Sequence, residues 1–290
     1  TNTRIDESDL DDIPPIGSAI AGRLGPNSDY QILKRHGLLT EATRAYLACI
    51  NYADECIGAI LDGLENSPYR DNTIVFLWGD HGWHLGEKLH YRKMTLWEEA
   101  TRAPLYWHVP GVTEPGSRCR RTVDYMCFYP TLVELCGLPP KPDIDGRSIV
   151  PLLKDPETPW PYPAITTRTQ NQHGVRSERY RYIRYHDGSE ELYDHADDPW
   201  ESTNLAGDPA YAAVIEKHRK WLPTENRDAI PPTGKKGSGR GKPVEGSGAV
   251  TQAAQQAIRT RQLAAGGGPG RDAAYLEDLP AGLYHNKGAR

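Results

Sequence analysis

Several residue types are scarce in this chain, and each shortage excludes a class of protein. Five of the 290 residues are cysteine, too few for a disulfide-dense scaffold, although one or two bridges are compatible with that number. No run of 18 apolar residues occurs, so the sequence predicts no membrane-spanning helix. Basic residues number 34 against 39 acidic ones, a net charge of −5, which argues against a nucleic-acid partner.

Glycine and proline, in contrast, are abundant, and shifts in composition predict four regions. The chain has 28 Gly and 24 Pro, so loops should be frequent. Residues 1–35 are predicted to be a loop-rich segment, 36–155 the larger α/β part, 156–223 a small α+β subdomain, and 224–290 a low-complexity, disordered tail. The chain begins with Thr and without a charged-then-apolar leader, so we expect either a removed leader or a fragment.

Hydrophobic periodicity predicts a helix followed by a buried strand. Apolar residues spaced three, four and seven apart predict an amphipathic helix of roughly 25 residues with Thr40 as its N-cap and an end near Asn66. Residues 73–78 form an almost continuously apolar run, which favours a central strand buried on both faces. Further predicted elements are a strand at 105–109, a helix at 124–136, a hairpin that pairs 181–185 with 191–193, and a closing helix at 210–222.

The strongest local feature is a group of polar residues directly after the predicted strand 73–78. Asp80 and His81 follow that strand, at the end where open α/β sheets place ligand sites. Gly82 lets the backbone pass close to a ligand, and Lys93 is near enough in sequence to return to the same cleft. A carboxylate suits a hard divalent cation, and an ammonium suits a tetrahedral oxyanion. The alternative is a solvated turn in which Asp80 caps the chain and His81 packs.

These residues are part of a longer series of motifs that resembles the sulfatase family, most closely its iduronate-2-sulfatase and choline-sulfatase branch. The matching motifs occur in order within about residues 40–222. They include Asp71-Asn72-Thr73-Ile74-Val75, Asp80-His81-Gly82, Leu85-Gly86-Glu87, Lys93, Ala100-Thr101-Arg102-Ala103-Pro104-Leu105, Asp145-Gly146-Arg147-Ser148, Glu191-Leu192-Tyr193-Asp194 and Thr203-Asn204-Leu205-Ala206.

The resemblance implies an alkaline-phosphatase-like α/β fold and the hydrolysis of sulfate esters, with a sulfated small molecule or saccharide as substrate. It implies a formylglycine nucleophile made in a Cys/Ser-x-Pro/Ala-x-Arg motif, a divalent cation, usually Ca2+, and a secreted or periplasmic location. Asp80 would be a metal ligand, and Lys93 would contact the sulfate and stabilise charge on the leaving oxygen. His81 would be either a second metal ligand or a hydrogen-bond partner of the nucleophile or the sulfate.

The sequence departs from the family pattern at the nucleophile. None of its cysteines or serines begins the maturation motif, and Asp11-Asp12 lacks the apolar strand that precedes the family's early metal pair. We therefore expect the chain to be the C-terminal portion of a sulfatase-like sequence. Alone, it should be poorly stable and inactive toward sulfate esters, because strand 73–78 would lose neighbours in its sheet.

Two further functions and a few further residues complete the candidates. A phosphodiesterase or phosphonate hydrolase of the same superfamily would use similar Asp-His metal chemistry, and a non-catalytic interaction fragment would use none. His173, between two predicted strands, is a candidate contact for a sulfated sugar, with a surface-loop histidine as the alternative. His84 and His90 flank the polar loop and are weaker candidates for substrate contact.

Overall fold

The computed structural model of the chain describes residues 5–22 and 28–227. Its residues fall in two compact units, one formed by residues up to 46 and from 71 onward, the other including residues 47–70. The tail predicted to be disordered lies, from position 228 onward, outside the described residues. The predicted domain boundary near residue 155 stays a prediction.

Helices and short strands make up the described part of the chain. Its α-helices are α1 (Pro15–Gly22), α2 (Asp29–Arg35), α3 (Leu39–Glu65), α4 (Glu98–Thr101), α5 (Phe128–Leu135), α6 (Val150–Lys154) and α7 (Ala212–Arg219). Its strands are β1 (Val75–Trp78), β2 (His84–Leu85), β3 (Tyr91–Arg92), β4 (Leu105–His108), β5 (Ala164–Thr169), β6 (Gln172–Arg176), β7 (Tyr180–Arg184) and β8 (Glu190–Asp194). The sheets are antiparallel and have the orders β1-β4, β2-β3 and β5-β6-β7-β8.

The N-terminal segment contains two helices, so the prediction that residues 1–35 are loop-rich is wrong for α1 and α2. Helix α1 begins at Pro15, whose fixed φ suits the first helical turn. Helix α2 is capped by Ser28, whose side chain accepts a backbone hydrogen bond at 3.2 Å. Helices this short are unstable in isolation. Burial of Ala21 and Tyr30, each 1% exposed, stabilises them, and composition does not reveal such burial.

The long helix predicted after residue 40 is confirmed as α3. It begins at Leu39, so Thr40 lies inside the helix and the predicted cap is wrong. Much of its apolar stripe is exposed, with Ile50 at 50% and Ile60 at 70%. No helix in the described ranges is both long and apolar enough to cross a membrane.

The strand predicted before the polar loop is confirmed as β1, but the prediction that both of its faces are buried is wrong. Among the described strands, β1 pairs with β4 alone. Leu77 and Trp78 are 37% and 43% exposed, because a sheet of two strands cannot cover its own faces. Phe76 stacks on Trp107 with 4.7 Å between the ring centroids and provides the apolar contact of this pair.

The four-stranded sheet β5-β6-β7-β8 carries packed side chains on both of its faces. Successive residues of a strand point to opposite faces. Tyr182 and Leu192 pack in the cluster that includes helix α7, whereas Ile183 and Tyr193 pack in the cluster that includes Trp97. Because Trp97 directly precedes α4, this second cluster fixes the chain segment that follows the candidate site.

The predicted hairpin is confirmed as the pair β7 and β8. Its turn contains Gly188, at a φ of +90°, in the region that glycine adopts without steric cost. The Ser189 amide donates to the Asp187 carboxylate at 2.9 Å and closes the turn. Strand 105–109 corresponds to β4, and the predicted helices at 124–136 and 210–222 correspond to α5 and α7, each with a short 3₁₀ helix before it.

Candidate active site

The three side chains predicted for the site lie together in the structure. The Nε2 atom of His81 lies 3.3 Å from Oδ2 of Asp80 and 2.5 Å from Nζ of Lys93. The side chain of Asp80 is 72% exposed and that of His81 is 27% exposed, so a ligand can approach from solvent. Strand β1 ends two residues before Asp80 and thereby places the group at its carboxyl end.

The hydrogen bonds of His81 identify its tautomer. Nδ1 lies 2.8 Å from the carbonyl oxygen of Gly82, which can only accept, so we assign the ring proton to Nδ1. Nε2 then presents a lone pair, to which the Lys93 ammonium donates. In this assignment Lys93 is the donor and His81 the acceptor of the hydrogen bond between them.

The backbone at Gly82 explains why a glycine follows the Asp-His pair. A Cβ atom at this position would lie 2.0 Å from the carbonyl oxygen of Glu99 and 2.6 Å from that of Arg102. The Gly82 amide donates to the carbonyl oxygen of Ala100 at 2.8 Å. Close packing of the polar loop against the segment that contains α4 therefore requires the absence of a side chain here.

Tyr125 is far from Asp80 and His81 in the sequence, but in the fold it supports the loop that carries them. The sequence analysis did not predict this role. Its hydroxyl donates to the carbonyl oxygen of Gly79, and its ring makes an edge contact with Trp78 at 5.4 Å between centroids. Burial, and secondly the negative charge of Asp80, raise the pKa of Tyr125. No local motif signals this role, because Tyr125 lies 46 residues after Gly79.

The loop that carries Lys93 has an unusual backbone. Lys88, Leu89 and Arg92 have φ angles of +54°, +47° and +89°, a region that residues with a side chain rarely adopt. Such conformations persist where surrounding contacts hold them. The backbone between His81 and Lys93 thus includes residues in unfavourable conformations. Contacts with other parts of the fold must hold these conformations in place.

Lys88 supplies that fixation from the protein interior, and the sequence pattern did not reveal it. The side chain is 1% exposed. Its Nζ lies 2.8 Å from Oδ1 of Asp9 and donates to the carbonyl oxygen of Glu201, while the Lys88 amide donates to the other Asp9 oxygen at 3.0 Å. The ring centroids of Trp97 and Tyr193 lie 5.8 and 5.1 Å from Nζ. Asp9 belongs to the segment predicted to be loop-rich, so this ion pair could not be anticipated.

A cavity of about 560 Å³ opens beside Lys93. Its lining includes Tyr30, His90, Arg92 and Arg168. His90 is held by a 2.6 Å hydrogen bond between its Nδ1 and the carbonyl oxygen of Ala21. His90 lines the same cavity as Lys93, and its contact with a substrate stays a prediction.

His84 and His173 have different surroundings from His81. His84 is fully buried and hydrogen-bonded at both nitrogens, to the Thr95 hydroxyl at 2.7 Å and to a carbonyl oxygen at 3.1 Å. Burial lowers the pKa of His84 to about 3, so it packs as a neutral side chain.

His173 lies on strand β6 and is 4% exposed, so the alternative of a surface-loop histidine is wrong. Its Nδ1 lies 3.0 Å from the Thr167 hydroxyl and its Nε2 lies 2.8 Å from the side-chain oxygen of Asn226. Both ring nitrogens are therefore engaged within the fold. A role of His173 in contacting substrate stays a prediction.

A second group of potential metal ligands forms an ion-pair network. Ligand atoms of Glu98, His195 and Glu201 lie within 4.8 Å of one another. Arg181 pairs with both carboxylates, and Nε of Arg176 lies 3.1 Å from Glu98. Burial opposes ionisation of Glu98, but the two arginines outweigh it and lower its pKa to about 2. These carboxylates are already neutralised by guanidinium groups, so the set does not fit a divalent cation.

Asp80 fits the divalent cation that the family resemblance implies, whereas His81 fits it less well. Ca2+ takes six to eight oxygen ligands, and the exposed Asp80 carboxylate offers one or two of them. The Nε2 lone pair of His81 accepts a hydrogen bond from Lys93, and Ca2+ prefers oxygen to nitrogen. A complete calcium site would therefore need further oxygen ligands besides Asp80.

Two family models match the chain. Residues 79–228 match the one described as N-sulphoglucosamine sulphohydrolase, C-terminal, and residues 5–138 match the one described as Sulfatase. Both matches include Asp80 and Lys93. The described part of the chain has the alkaline-phosphatase-like α/β fold that the sequence predicted. The chain belongs to the sulfatase family.

Individual relatives are longer than the part this chain matches. A sulfatase of Formosa agariphila is 41% identical over 219 residues, which are 75% of this chain and 43% of the relative. A choline-sulfatase of Rhizobium meliloti is 34% identical over 173 residues, 57% of this chain and 33% of the relative. A solved structure in complex with its substrate D-glucosamine-2-N,6-O-disulfate has a TM-score of 0.57 and 28% identity, and the match covers 60% of this chain and 38% of that one. The chain thus spans less than half the length of each.

Proposed function

We propose that this chain is part of an enzyme that hydrolyses the sulfate ester of a sulfated saccharide. The observation that carries the proposal is the convergence of Asp80, His81 and Lys93 at the end of β1. A saccharide substrate is supported by the solved relative whose substrate is a sulfated glucosamine. Placement in the iduronate-2-sulfatase and choline-sulfatase branch is part of the proposal and is supported by the choline-sulfatase relative.

Each of the three residues has a distinct task in this reaction. As the nucleophile bonds to sulfur, the ester bond breaks and its electron pair leaves on the ester oxygen. The Lys93 ammonium stabilises the charge on that oxygen and gives it a proton. His81, within hydrogen-bond distance of Lys93, accepts and returns protons at Nε2. Asp80 would hold the divalent cation, which supplies positive charge to the sulfate oxygens when bound.

We propose that the nucleophile comes from a part of the sulfatase fold that this chain does not contain. No cysteine or serine of the sequence begins the Cys/Ser-x-Pro/Ala-x-Arg motif. The exposure of Leu77 and Trp78 on β1 supports this proposal, because further strands beside β1 would cover such apolar side chains.

Complementation tests the proposed function. The chain would be co-expressed with the N-terminal part of the Formosa agariphila sulfatase, and the purified complex assayed for sulfate release from glucosamine 6-O-sulfate. We expect turnover by the complex, none by the chain alone, loss of activity with EDTA and recovery with Ca2+. The variant Lys93→Met should lower turnover by about 100-fold or more, while Lys154→Met, which removes a charge from the end of α6, should leave it unchanged.

The same complex separates the remaining candidate functions. Turnover of a phosphonate monoester in preference to the sulfate ester would favour the phosphonate hydrolase. An assembled complex that is inactive toward both esters would favour a non-catalytic fragment. Turnover by the purified chain alone would contradict the proposed origin of the nucleophile. A periplasmic or secreted location is proposed on family membership only, and cell fractionation of the source organism tests it.

A further inference from the structure

The loop at residues 86–93, here called the lysine loop, is held along its length by the N-terminal segment of the chain. A Cβ atom added to Gly86 would lie 2.7 Å from Cγ1 of Ile5, so the loop packs directly on that residue. Two positions further on, the Lys88 ammonium lies 2.8 Å from Oδ1 of Asp9. The first half of the loop is thus in contact with the beginning of the N-terminal segment.

The second half of the lysine loop makes two further contacts with the same segment. Nδ1 of His90 lies 2.6 Å from the carbonyl oxygen of Ala21. The Arg92 guanidinium pairs with Asp29, with Nε and Oδ2 2.6 Å apart. Four residues at alternate positions of the loop therefore contact the N-terminal segment.

These contacts lie where the backbone of the loop is least favourable. Lys88, Leu89 and Arg92 have positive φ angles, which residues with a side chain keep only where surrounding contacts hold them. Of these three, Lys88 and Arg92 are the residues that pair with carboxylates of the N-terminal segment. Lys93 directly follows Arg92, so the ion pairs fix the backbone up to the residue before it.

We propose that the N-terminal segment positions Lys93 for the reaction through the ion pairs of Asp9 and Asp29. The inference rests on the proposed function, because Lys93 is the group that the segment places. The hydrogen bond between Lys93 and His81 depends on distance and angle, so displacement of the loop weakens it. Asp9 is buried and acts through the loop, without contact with a substrate.

The nitrogen NMR signal of His81 Nε2 in the full chain reports the position of Lys93 and tests the inference. Lys93→Met defines the position of this signal without the hydrogen bond. Asp9→Asn keeps the size of the side chain but removes its charge and one of the two oxygens that accept from Lys88. We expect the signal to shift toward its position in Lys93→Met. A change in global stability alone would not move the signal of the folded protein.

Asp12→Asn is the matched control, because it makes the same chemical change three residues further along the segment. The Asp12 carboxylate accepts from the Asn204 amide at 2.7 Å, outside the lysine loop, so the His81 signal should stay in place. Asp29→Asn alters an ion pair whose carboxylate side chain is 41% exposed. It should fold even if Asp9→Asn does not, and it should shift the signal in the same direction as Asp9→Asn.

Thermal unfolding would show which variants are folded. A wild-type position of the signal in folded Asp9→Asn or Asp29→Asn, or an equal shift in Asp12→Asn, would overturn the inference. In the complementation complex, Asp9→Asn should lower turnover by about tenfold or more, and unchanged turnover would overturn the inference as well. The NMR measurement requires no turnover. An inactive wild-type complex would therefore contradict the proposed function alone, and the signal would still decide whether the N-terminal segment positions Lys93.

Discussion

Lys93 and His81 form a hydrogen-bonded pair, with Nζ of the lysine 2.5 Å from Nε2 of the imidazole and Nδ1 of the imidazole 2.8 Å from the carbonyl oxygen of Gly82. The carbonyl group can only accept, so the pair requires the tautomer protonated at Nδ1. In this tautomer Lys93 donates the hydrogen bond between the two side chains and His81 accepts it. Because its Nε2 atom is engaged by Lys93, His81 is a poor ligand for a metal ion.

The tautomer of His81 is directly measurable. In a long-range proton–nitrogen NMR spectrum, we expect His81 to carry a proton at Nδ1, which faces the carbonyl oxygen of Gly82. In Lys93→Met the Nε2 signal should shift, because it loses its hydrogen-bond donor, while Lys154→Met should leave the signal in place. Protonation at Nε2 in the wild type would contradict the assignment.

Removal of one partner from the buried network of Arg181 should be strongly destabilising. Arg181 is 2% exposed and pairs with Glu98 and with the fully buried Glu201. Arg181→Met leaves two carboxylates without their shared cation, so we expect the free energy of unfolding to fall by about 3–5 kcal/mol. Urea denaturation measures this change.

The exposed pair between Lys141 and Asp143 provides the control for that experiment. Its nitrogen and oxygen lie 3.2 Å apart, with side chains 49% and 69% exposed. Asp143→Asn should change the free energy of unfolding by about 0–1 kcal/mol. Equal effects of Arg181→Met and Asp143→Asn would show that burial does not strengthen the network.

The pKa values of the adjacent residues Glu98 and Glu99 are shifted in opposite directions. The two carboxyl groups should therefore change the stability of the fold in opposite directions as the pH rises. Burial raises the pKa of Glu98, but Arg181 and Arg176 outweigh it and lower that pKa from 4.5 to about 2. A lowered pKa in the folded state contributes stability above pH 4.5, which is lost as the pH falls from 4.5 toward 2. Glu98→Gln should therefore weaken the loss of stability in that interval.

Burial, and secondly the charge of Glu201, raise the pKa of Glu99 from 4.5 to about 8. Its Oε2 is buried and has no hydrogen-bond partner among the described residues. The stability that this raised pKa contributes is present below pH 4.5 and is lost as the pH rises from 4.5 to 8. Glu99→Gln should therefore be at least as stable as the wild type at pH 8. Urea denaturation between pH 2.5 and 8.5 measures both variants, and parallel curves for the two would contradict the prediction.

Two substitutions of glycine by alanine should change the free energy of unfolding in opposite directions. Gly82→Ala places a Cβ atom 2.0 Å from the carbonyl oxygen of Glu99, and we expect a loss of at least about 3 kcal/mol, since backbone must move. Gly63→Ala, inside α3 and with nothing within 4 Å of the added atom, should stabilise by about 0.5–1 kcal/mol. Thermal unfolding compares them. A mild effect of Gly82→Ala would show that the polar loop is not packed as described.

The sequence predicted those helices, strands and site residues that are encoded by patterns within a short stretch of the chain. The helix α3, the strand β1, the hairpin of β7 and β8, and the group Asp80, His81 and Lys93 all follow from periodicity or from motifs confined to a few residues. They were predictable because periodicity, turn chemistry and family motifs act over distances that a linear sequence displays.

Contacts between distant residues were not predictable in the same way. The helix α1 is stabilised by burial of side chains such as Ala21, and Lys88 bonds with Asp9, 79 residues away. For strand β1 the sequence predicted burial that the structure does not show. An apolar run predicts a buried strand whether or not neighbouring strands are present to cover it.

The sequence by itself determined the family and the three polar residues at the end of β1, since their identities and spacing are the signal. The tertiary structure alone decided which hydrogen bonds they make, which tautomer His81 adopts, and that Arg168 joins Lys93 at one cavity. Arg168 bonds to Met94 from 74 residues away. Such a pairing depends on how the strands and loops pack in space, and no local pattern of residue types specifies it.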